Sequence, residues 1–410
     1  MESQSQLSVA SYKKGTYIII EGKQADCFFI IQQGNVKISK EAMVEGESDE
    51  TLVPGDFFGV ISTMSSHSHI ESAQALTDVI LIAVRQNQYG GLIQKKSQVA
   101  IKIITQFSKR LRVLNETLAR LTLKNTAEIS PNHLYDVAEY YLSQKQYRQA
   151  MYAYGQYIKY CPKGEKAASA KEKFTKLSTR IEQTKFTAND LNRTYRKDTM
   201  LFAEGEPGDE LFILQKGSIK ITKIVDHKEV LLAMLNPGDI FGEMALLEGK
   251  PRAACALAHE DSDVMAVNKA NFELMIKNQP QIIAKITTLL ADRLWLIYKQ
   301  LANTLIENPM GRMYDALLIQ LEKNRVPIDS TTPYTFAFGK PELIHMVGLP
   351  ENNGNKVFAE MLENKKLQVL DIDKKIHTTS TEEIHKQSEY FRKMDKIEKA
   401  QKEKRLTENR

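Results

Sequence analysis

Short runs of β-branched and aromatic residues, broken by turn residues, fill the first third of the chain. Cys27 to Gln32 and Val36 to Ser39 read as strands, and Gly22, Gly34 and Pro54-Gly55-Asp56 punctuate them as turns. Many short strands with regular turns predict a sandwich or jelly-roll barrel. The period then changes. Ala100, Ile104, Phe107, Leu111, Leu114, Leu118 and Leu121 alternate spacings of four and three, a heptad stripe on a long helix. Ile286, Leu290, Leu294, Ile297, Leu301 and Leu305 form a second, looser stripe. Such stripes predict either packing on the neighbouring strands or pairing with a second copy, and a homodimer through the long helices is the expectation.

A shift of 183 residues organises the whole chain. Tyr12 to Lys40 (YKKGTYIIIEGKQADCFFIIQQGNVKISK) falls on Tyr195 to Lys223 (YRKDTMLFAEGEPGDELFILQKGSIKITK), with 13 of 29 positions identical. The same shift, without a gap, sets LVPGDFFG at Leu52 on LNPGDIFG at Leu235, with six of eight matching. A constant offset over so long a span predicts a duplicated domain. Between the copies, HLYDVAEYYLSQKQYRQAMYAYGQYIKYCP has helical periodicity with a polar turn at Ser143 to Gln146. Its spaced Ala138, Tyr141, Tyr147, Ala150 and Tyr154 resemble a tetratricopeptide-type helix pair, expected to act as a spacer packed on the strands with the aromatic stripe as core.

Composition narrows the class without naming it. The 410 residues are 42% hydrophobic and 26% charged, ordinary for globular protein, with 56 basic against 51 acidic residues, a surplus of +5. That surplus permits an anionic partner without demanding one. Cys27, Cys161 and Cys255 lie far apart, which disfavours disulfide, zinc or iron–sulfur frameworks, and no metal is expected. No stretch approaches the roughly 18 apolar residues of a membrane helix, and MESQSQLSVASYKKGTY lacks a secretory pattern. The expectation is a cytoplasmic protein with no membrane partner. No nucleophile–base constellation or Walker loop marks it as an enzyme, and no cofactor is expected.

The second copy carries Phe241-Gly242-Glu243-Met244-Ala245-Leu246-Leu247-Glu248-Gly249-Lys250-Pro251-Arg252-Ala253-Ala254. This stretch resembles the phosphate-binding cassette of cyclic-nucleotide-binding domains, and the likeness runs from Tyr195 to about Ile276. The chemistry suits it: Arg252 offers a planar fork of donors to a phosphodiester, Gly242 permits close approach of backbone, and Glu243 is an acceptor for a ribose hydroxyl. The resemblance implies a cyclic-nucleotide site of Gly242, Glu243, Met244, Ala245, Arg252 and Ala253. An alanine after the arginine, rather than a hydroxyl residue, implies cAMP over cGMP as ligand. Where bacterial relatives reach the base from the following helix, this chain has Ile297 and Tyr298. Tyr298 or Trp295 would stack on the purine, or pack within a helix interface. In the first copy Glu243 becomes Val60 and Arg252 becomes His69, so that copy is expected to be degenerate and structural. His67 and His69 there read as metal-binding, pH-responsive or simply solvent-exposed.

Beyond Asn308, the stretch FGKPELIHMVGLPENNGNKVFAEMLENKKLQVLDIDKKIHTT resembles the winged helix-turn-helix of the cyclic AMP receptor protein family of transcription regulators. That places a first helix at Lys340 to Met346, a turn at Val347-Gly348, a recognition helix at about Asn353 to Asn364, and wing strands at Leu367 to Leu370 and Lys375 to Thr378, around Asp371 to Lys374. The candidate contacts to double-stranded DNA are Asn352, Asn353, Asn355, Lys356, Lys374 and Lys375. No arginine opens the recognition helix, and Gly354 weakens its start. The expected fold is multidomain α+β. Residues 1–125 form a degenerate copy with its long helix, 126–185 a helical hairpin, 186–307 the binding copy with its long helix, 308–384 the winged helix, and 385–410 a charged tail. Two functions fit: a cAMP-sensing transcription regulator whose ligand repositions the winged helix on DNA, or a cAMP-binding scaffold that signals through protein contacts.

Overall fold

The computed structural model describes residues 7–40, 49–123, 132–179, 190–225, 228–370 and 374–408. The first copy contains β1 (Ser8–Tyr12), β2 (Tyr17–Ile19), β3 (Cys27–Gln33), β4 (Val36–Ser39), β5 (Glu50–Leu52), β6 (Phe57–Phe58), the short helix α1 (Val60–Ser65), β7 (Ser72–Ala75) and β8 (Val79–Arg85). Helices α2 (Tyr89–Lys95) and α3 (Ser97–Leu123) follow. The insert forms α4 (His133–Ser143), α5 (Tyr147–Tyr160) and a third helix, α6 (Ala167–Ser178). The second copy repeats the first as β9 (Asn192–Tyr195), β10 (Met200–Phe202), β11 (Glu210–Lys216), β12 (Ile219–Val225), β13 (Lys228–Leu235), β14 (Ile240–Phe241), α7 (Glu243–Glu248), β15 (Cys255–Ala258) and β16 (Ser262–Asn268). It is followed by α8 (Lys269–Asn278) and α9 (Pro280–Thr304).

The duplication extends to topology. The first copy has two four-stranded antiparallel sheets, ordered β1-β8-β3-β6 and β2-β7-β4-β5, and the second has β9-β16-β11-β14 and β10-β15-β12-β13. The strands therefore make a pair of open sheets rather than one closed barrel. Inward alternation builds each core: Phe29, Ile31, Val36, Leu81 and Ala83 in the first, and Phe202, Phe212, Leu214, Phe241 and Val264 in the second. Gly59 and Gly242 occupy the same left-handed conformation, φ +75°, at the N-caps of α1 and α7. A side chain is strained there, which explains a glycine in both copies.

The chain divides into two compact units that cut across the chain order. One contains Asn87–Val113 and Asn125–Ala291; the other contains Gln6–Gln86, Leu114–Lys124 and Asp292–Arg410. In the first unit the second copy packs with the insert and the early turns of α3. Tyr141, Ala150, Tyr154 and Tyr157 of the insert share a core with Met200, Ala203, Cys255 and Leu257 of the second copy. Ala138, Tyr141, Ala150 and Tyr154 are buried as the periodicity predicts, whereas Tyr147 is exposed.

The other unit joins the first copy to the later half of α9 and to the C-terminal segment. That segment comprises α10 (Pro309–Lys323), β17 (Tyr334–Gly339), α11 (Lys340–Met346), α12 (Glu351–Met361), β18 (Leu367–Val369), β19 (Lys375–Thr378) and α13 (Thr381–Glu408), with strands ordered β17-β19-β18. Its core gathers Leu317, Leu321, Phe336, Leu343, Ile344, Phe358 and Ile376. Gly354 has a packing reason: a Cβ there would lie 2.6 Å from Cγ2 of Ile344, so the glycine lets α12 press onto α11. The charged tail is anchored. Asp315, fully buried on α10, accepts from Ser388 Oγ at 2.9 Å, Arg392 Nε at 2.7 Å and Asn303 Nδ2 at 2.9 Å.

Most of both helical stripes is buried, with Leu118 half-buried. Ala100, Ile104, Phe107, Leu111 and Leu114 are buried, as are Ile286, Leu290, Leu294, Ile297 and Leu301, while Leu121 and Leu305 at the helix ends are exposed. No helix among the described residues is long and apolar enough to cross a membrane.

Candidate nucleotide site of the second copy

Arg252 is the centre of the site, and glycines shape its place. The turn after β10 and the N-terminus of α7 approach the guanidinium from two sides. A Cβ on Gly208 would collide with Arg252 Nε and Cζ, and one on Gly242 would lie 2.6 Å from Nη1. Stacked Phe212 and Phe241, 5.3 Å apart, and Phe202 beside them form an aromatic floor. The guanidinium lies 4.3 Å above the Phe202 ring centroid, a cation–π arrangement.

Arg252 is 5% exposed, and Nη1 donates to the Gly242 carbonyl at 2.6 Å. Its Nε is buried and has no hydrogen-bond partner. Burial pulls its pKa down, while Glu206 is the largest of the groups pulling it back up. A guanidinium placed in this way, with a donor unspent, is suited to an anion that brings acceptors with it. Glu243 is buried in the first turn of α7, Ala245 is buried beside it, and Met244 and Ala253 are half-buried. The six residues predicted from the cassette therefore fall on one turn, one short helix and the strand entry that faces them.

Tyr298 is placed beside Lys40 of the first copy. Its hydroxyl accepts from Lys40 Nζ at 3.1 Å, and that ammonium sits 4.1 Å from its ring centroid. Tyr298 belongs to the unit of the first copy, because α9 leaves the second copy's unit at Ala291. Trp295 likewise stacks on His67 of the first copy, with ring centroids 3.9 Å apart. Helix α3 reaches the cassette. Arg112 Nε donates to Glu248 Oε2 at 2.9 Å and Nη1 to the Pro251 carbonyl at 3.1 Å, while Ser108 Oγ donates to Glu248 Oε1 at 3.1 Å.

Sequence reasoning missed Arg112, Phe202, Glu206 and Gly208. The repeat itself held a signal for the last three. At the same offset, Phe202 becomes Ile19, Glu206 becomes Lys23 and Gly208 becomes Ala25, so the surroundings of the arginine changed together with its replacement by His69. In the first copy His69 is buried and His67 half-buried, so neither lies open to solvent. His69 is 6% exposed, and the His67 side chain is 10% exposed. Burial, with Arg325 and Lys299 nearby, lowers the His67 pKa to about 4. No cluster of metal-ligating side chains occurs among the described residues.

Of the residues proposed for DNA, Asn352, Asn353 and Lys356 are exposed on α12, Asn355 is half-buried there, Lys375 begins β19, and Lys374 directly precedes it. Arg312 Nη1 donates to the Val347 carbonyl at 3.2 Å and ties α10 to the turn between α11 and α12. Asp371 and Asp373 lie outside the described residues.

This pairing of fold and cassette is that of a cyclic nucleotide-binding domain, and that family matches the chain twice, over residues 9–96 and 192–279. The chain is 27% identical over 182 residues to a CRP-like cAMP-activated global transcriptional regulator of Mycobacterium tuberculosis, covering 42% of this chain and 81% of the relative. It is 30% identical over 173 residues to the cAMP-activated global transcriptional regulator CRP of Pasteurella multocida, again covering 42% and 81%. A solved CRP/FNR-family transcriptional regulator from Thermus thermophilus superposes with a TM-score of 0.35 at 20% identity, over 48% of this chain and 98% of that one. The chain belongs to the cyclic AMP receptor protein family, as a member with two cyclic nucleotide-binding domains.

Proposed function

We propose that this protein is a cAMP-responsive transcription regulator whose second copy holds the ligand. The observation that carries the reading is the buried, glycine-cradled Arg252 with an unpartnered Nε, which asks for an anionic acceptor. A cyclic phosphodiester is small enough for such a cradle and carries the single charge that the arginine would neutralise. Glu243 would accept from the ribose hydroxyl, and Met244 and Ala245 would line the short helix against the sugar. Ala253 offers no hydroxyl to a guanine, which favours cAMP over cGMP. The first copy, with His69 and Val60 in place of arginine and glutamate, is a structural domain in this reading.

The output would be the C-terminal segment acting as a winged helix-turn-helix, with α12 in the major groove of double-stranded DNA. Asn352, Asn353, Asn355 and Lys356 would face base edges and phosphate, and Lys374 and Lys375 of the wing would face backbone phosphate. Ligand would act only through the difference in its affinity for two arrangements of the chain. The scaffold reading is favoured by one observation: α12 opens with Glu351 and carries no arginine.

Calorimetric titration of cAMP and cGMP into the wild type and Arg252→Ala tests the sensor. One site per chain, tighter for cAMP and lost in the variant, is the expected result. Binding of neither nucleotide would sink it. DNA retention that requires ligand and falls steeply with salt separates the regulator from the scaffold.

A further inference from the structure

We propose that Tyr152, on the inserted helix α5, is a positioning residue for Arg252: it holds the Glu206 carboxylate away from the guanidinium and so leaves Arg252 open to an anionic ligand. The inference deepens the reading of the second copy as a nucleotide site and rests on it.

The two charged residues are held side by side by their backbones. Arg252 N–H donates to the Glu206 carbonyl at 2.8 Å, and Gly205 N–H donates to the Arg252 carbonyl at 2.9 Å. Both residues are buried, at 8% and 5% exposure. Oppositely charged neighbours in such a place ordinarily pair. Here they do not, and Nε of Arg252 has no partner. The Glu206 carboxylate is engaged elsewhere. Its Oε2 accepts from Ala203 N–H at 3.0 Å, and the Tyr152 hydroxyl lies 3.0 and 3.2 Å from its two oxygens. The same hydroxyl is 2.9 Å from the Leu201 carbonyl, and its single proton cannot serve both acceptors at full strength. Glu206 is therefore held by few donors in a dry place, and burial raises its pKa to about 7 against the pull of Ala203, Tyr152, Arg252 and Lys159.

The first copy supplies the comparison. It keeps the same backbone pairing, Gly22 N–H to the His69 carbonyl at 2.7 Å and His69 N–H to the Lys23 carbonyl at 2.8 Å. Lys23 and His69 stand there in place of Glu206 and Arg252. A carboxylate beside the arginine, and a helix that restrains it, occur together only in the copy that carries the cassette. Without the Tyr152 hydroxyl, Glu206 would lose a donor and swing to the nearest cation. It would then compete with the phosphate for Arg252.

The test is cAMP titration by calorimetry into the full chain as wild type, Tyr152→Phe, Glu206→Gln and the double variant. Tyr152→Phe should weaken binding about tenfold, a typical coupling between linked sites. The double variant should recover to the affinity of Glu206→Gln, because no carboxylate remains to compete. Unchanged affinity in Tyr152→Phe, or a loss that Glu206→Gln does not rescue, would overturn the proposal; the second result is what a purely structural tyrosine gives. A second readout needs no nucleotide: the Arg252 Nε–H resonance in arginine-labelled protein, assigned with Arg252→Lys. It should move downfield and exchange more slowly in Tyr152→Phe and return in the double variant. If the wild type binds no cAMP, the nucleotide reading fails, and an unmoved resonance would separately refute the role of Tyr152. Should Tyr152→Phe not fold, Glu206→Gln alone decides through the same resonance, since a shift there would mean that the carboxylate already pairs with Arg252.

Discussion

Arg112 and Glu248 form a buried ion pair that joins helix α3 to the end of the cassette helix. Their side chains are 6% and 2% exposed. Two hydrogen bonds link Arg112 to Glu248 and the Pro251 carbonyl, and Ser108 supplies a third bond to Glu248. Arg112→Ala would leave a buried carboxylate with only the Ser108 hydroxyl as partner among these. Breaking a buried pair from one side costs about 3–5 kcal/mol. Replacing both sides, as Arg112→Met with Glu248→Leu, removes the charges together and should cost far less than the two single changes summed. Urea unfolding followed by far-UV circular dichroism reads the effect: with a slope of up to about 3 kcal/mol per M, a 3 kcal/mol loss moves the midpoint by about 1 M or more. The sole tryptophan, Trp295, belongs to the other unit and reports on that unit separately. A cost below about 1 kcal/mol for Arg112→Ala would show a pair solvated like a surface one. A double variant as unstable as the sum of its parts would show that the two charges are not coupled.

Three further outcomes are expected. Gly208→Ala places a Cβ on the Arg252 guanidinium and should weaken cAMP binding by about 10- to 100-fold, the worth of a displaced hydrogen bond to a charged group; calorimetry with unchanged affinity would show that the cradle is not needed. His67, with a pKa of about 4 against an ordinary 6.5, stays neutral at pH 7, and its contribution to stability, fully present above about 6.5, is lost as pH falls through 4. Trp295 emission should therefore change with a midpoint near 4 in an Asp292→Asn background, since Asp292, raised by burial to about 6, titrates in the same range; the change should vanish in His67→Gln, and a midpoint at 6.5 would refute the account. Gly354→Ala drives a Cβ onto the buried Ile344 side chain and should destabilise the C-terminal segment by about 1–3 kcal/mol, read as a lowered melting midpoint, despite alanine's better helix propensity.

The repeat, the cassette and helix α11 were all readable from residue order, because each depends on local spacing. The predicted first helix, Lys340 to Met346, coincides with α11. What spacing could not reveal was which surface a long stripe covers. Leu294, Ile297 and Leu301 announce a buried face, but the pattern is the same whether that face meets the second copy or the first; Tyr298 on the same helix sits beside Lys40 of the first copy. His67 looked exposed in a serine-rich loop because its partner lies far along the chain: Trp295 covers it. Gly354 looked like a weak helix start for the same reason, since Ile344 explains it only once α11 and α12 touch.

The exchange of helices between copies also sets a timetable for synthesis. The unit of the first copy draws on Gln6–Gln86 and then on nothing beyond Lys124 until Asp292. At roughly 5–20 residues per second, a ribosome needs about 10–40 s to cross the roughly 200 residues between Gln86 and Asp292. During that interval the newborn first copy waits with the face of His67 uncovered by Trp295. On a crowded message, the α9 of a neighbouring nascent chain can arrive first, so a strand-for-strand correct but helix-swapped dimer is the misassembly that this gene order invites.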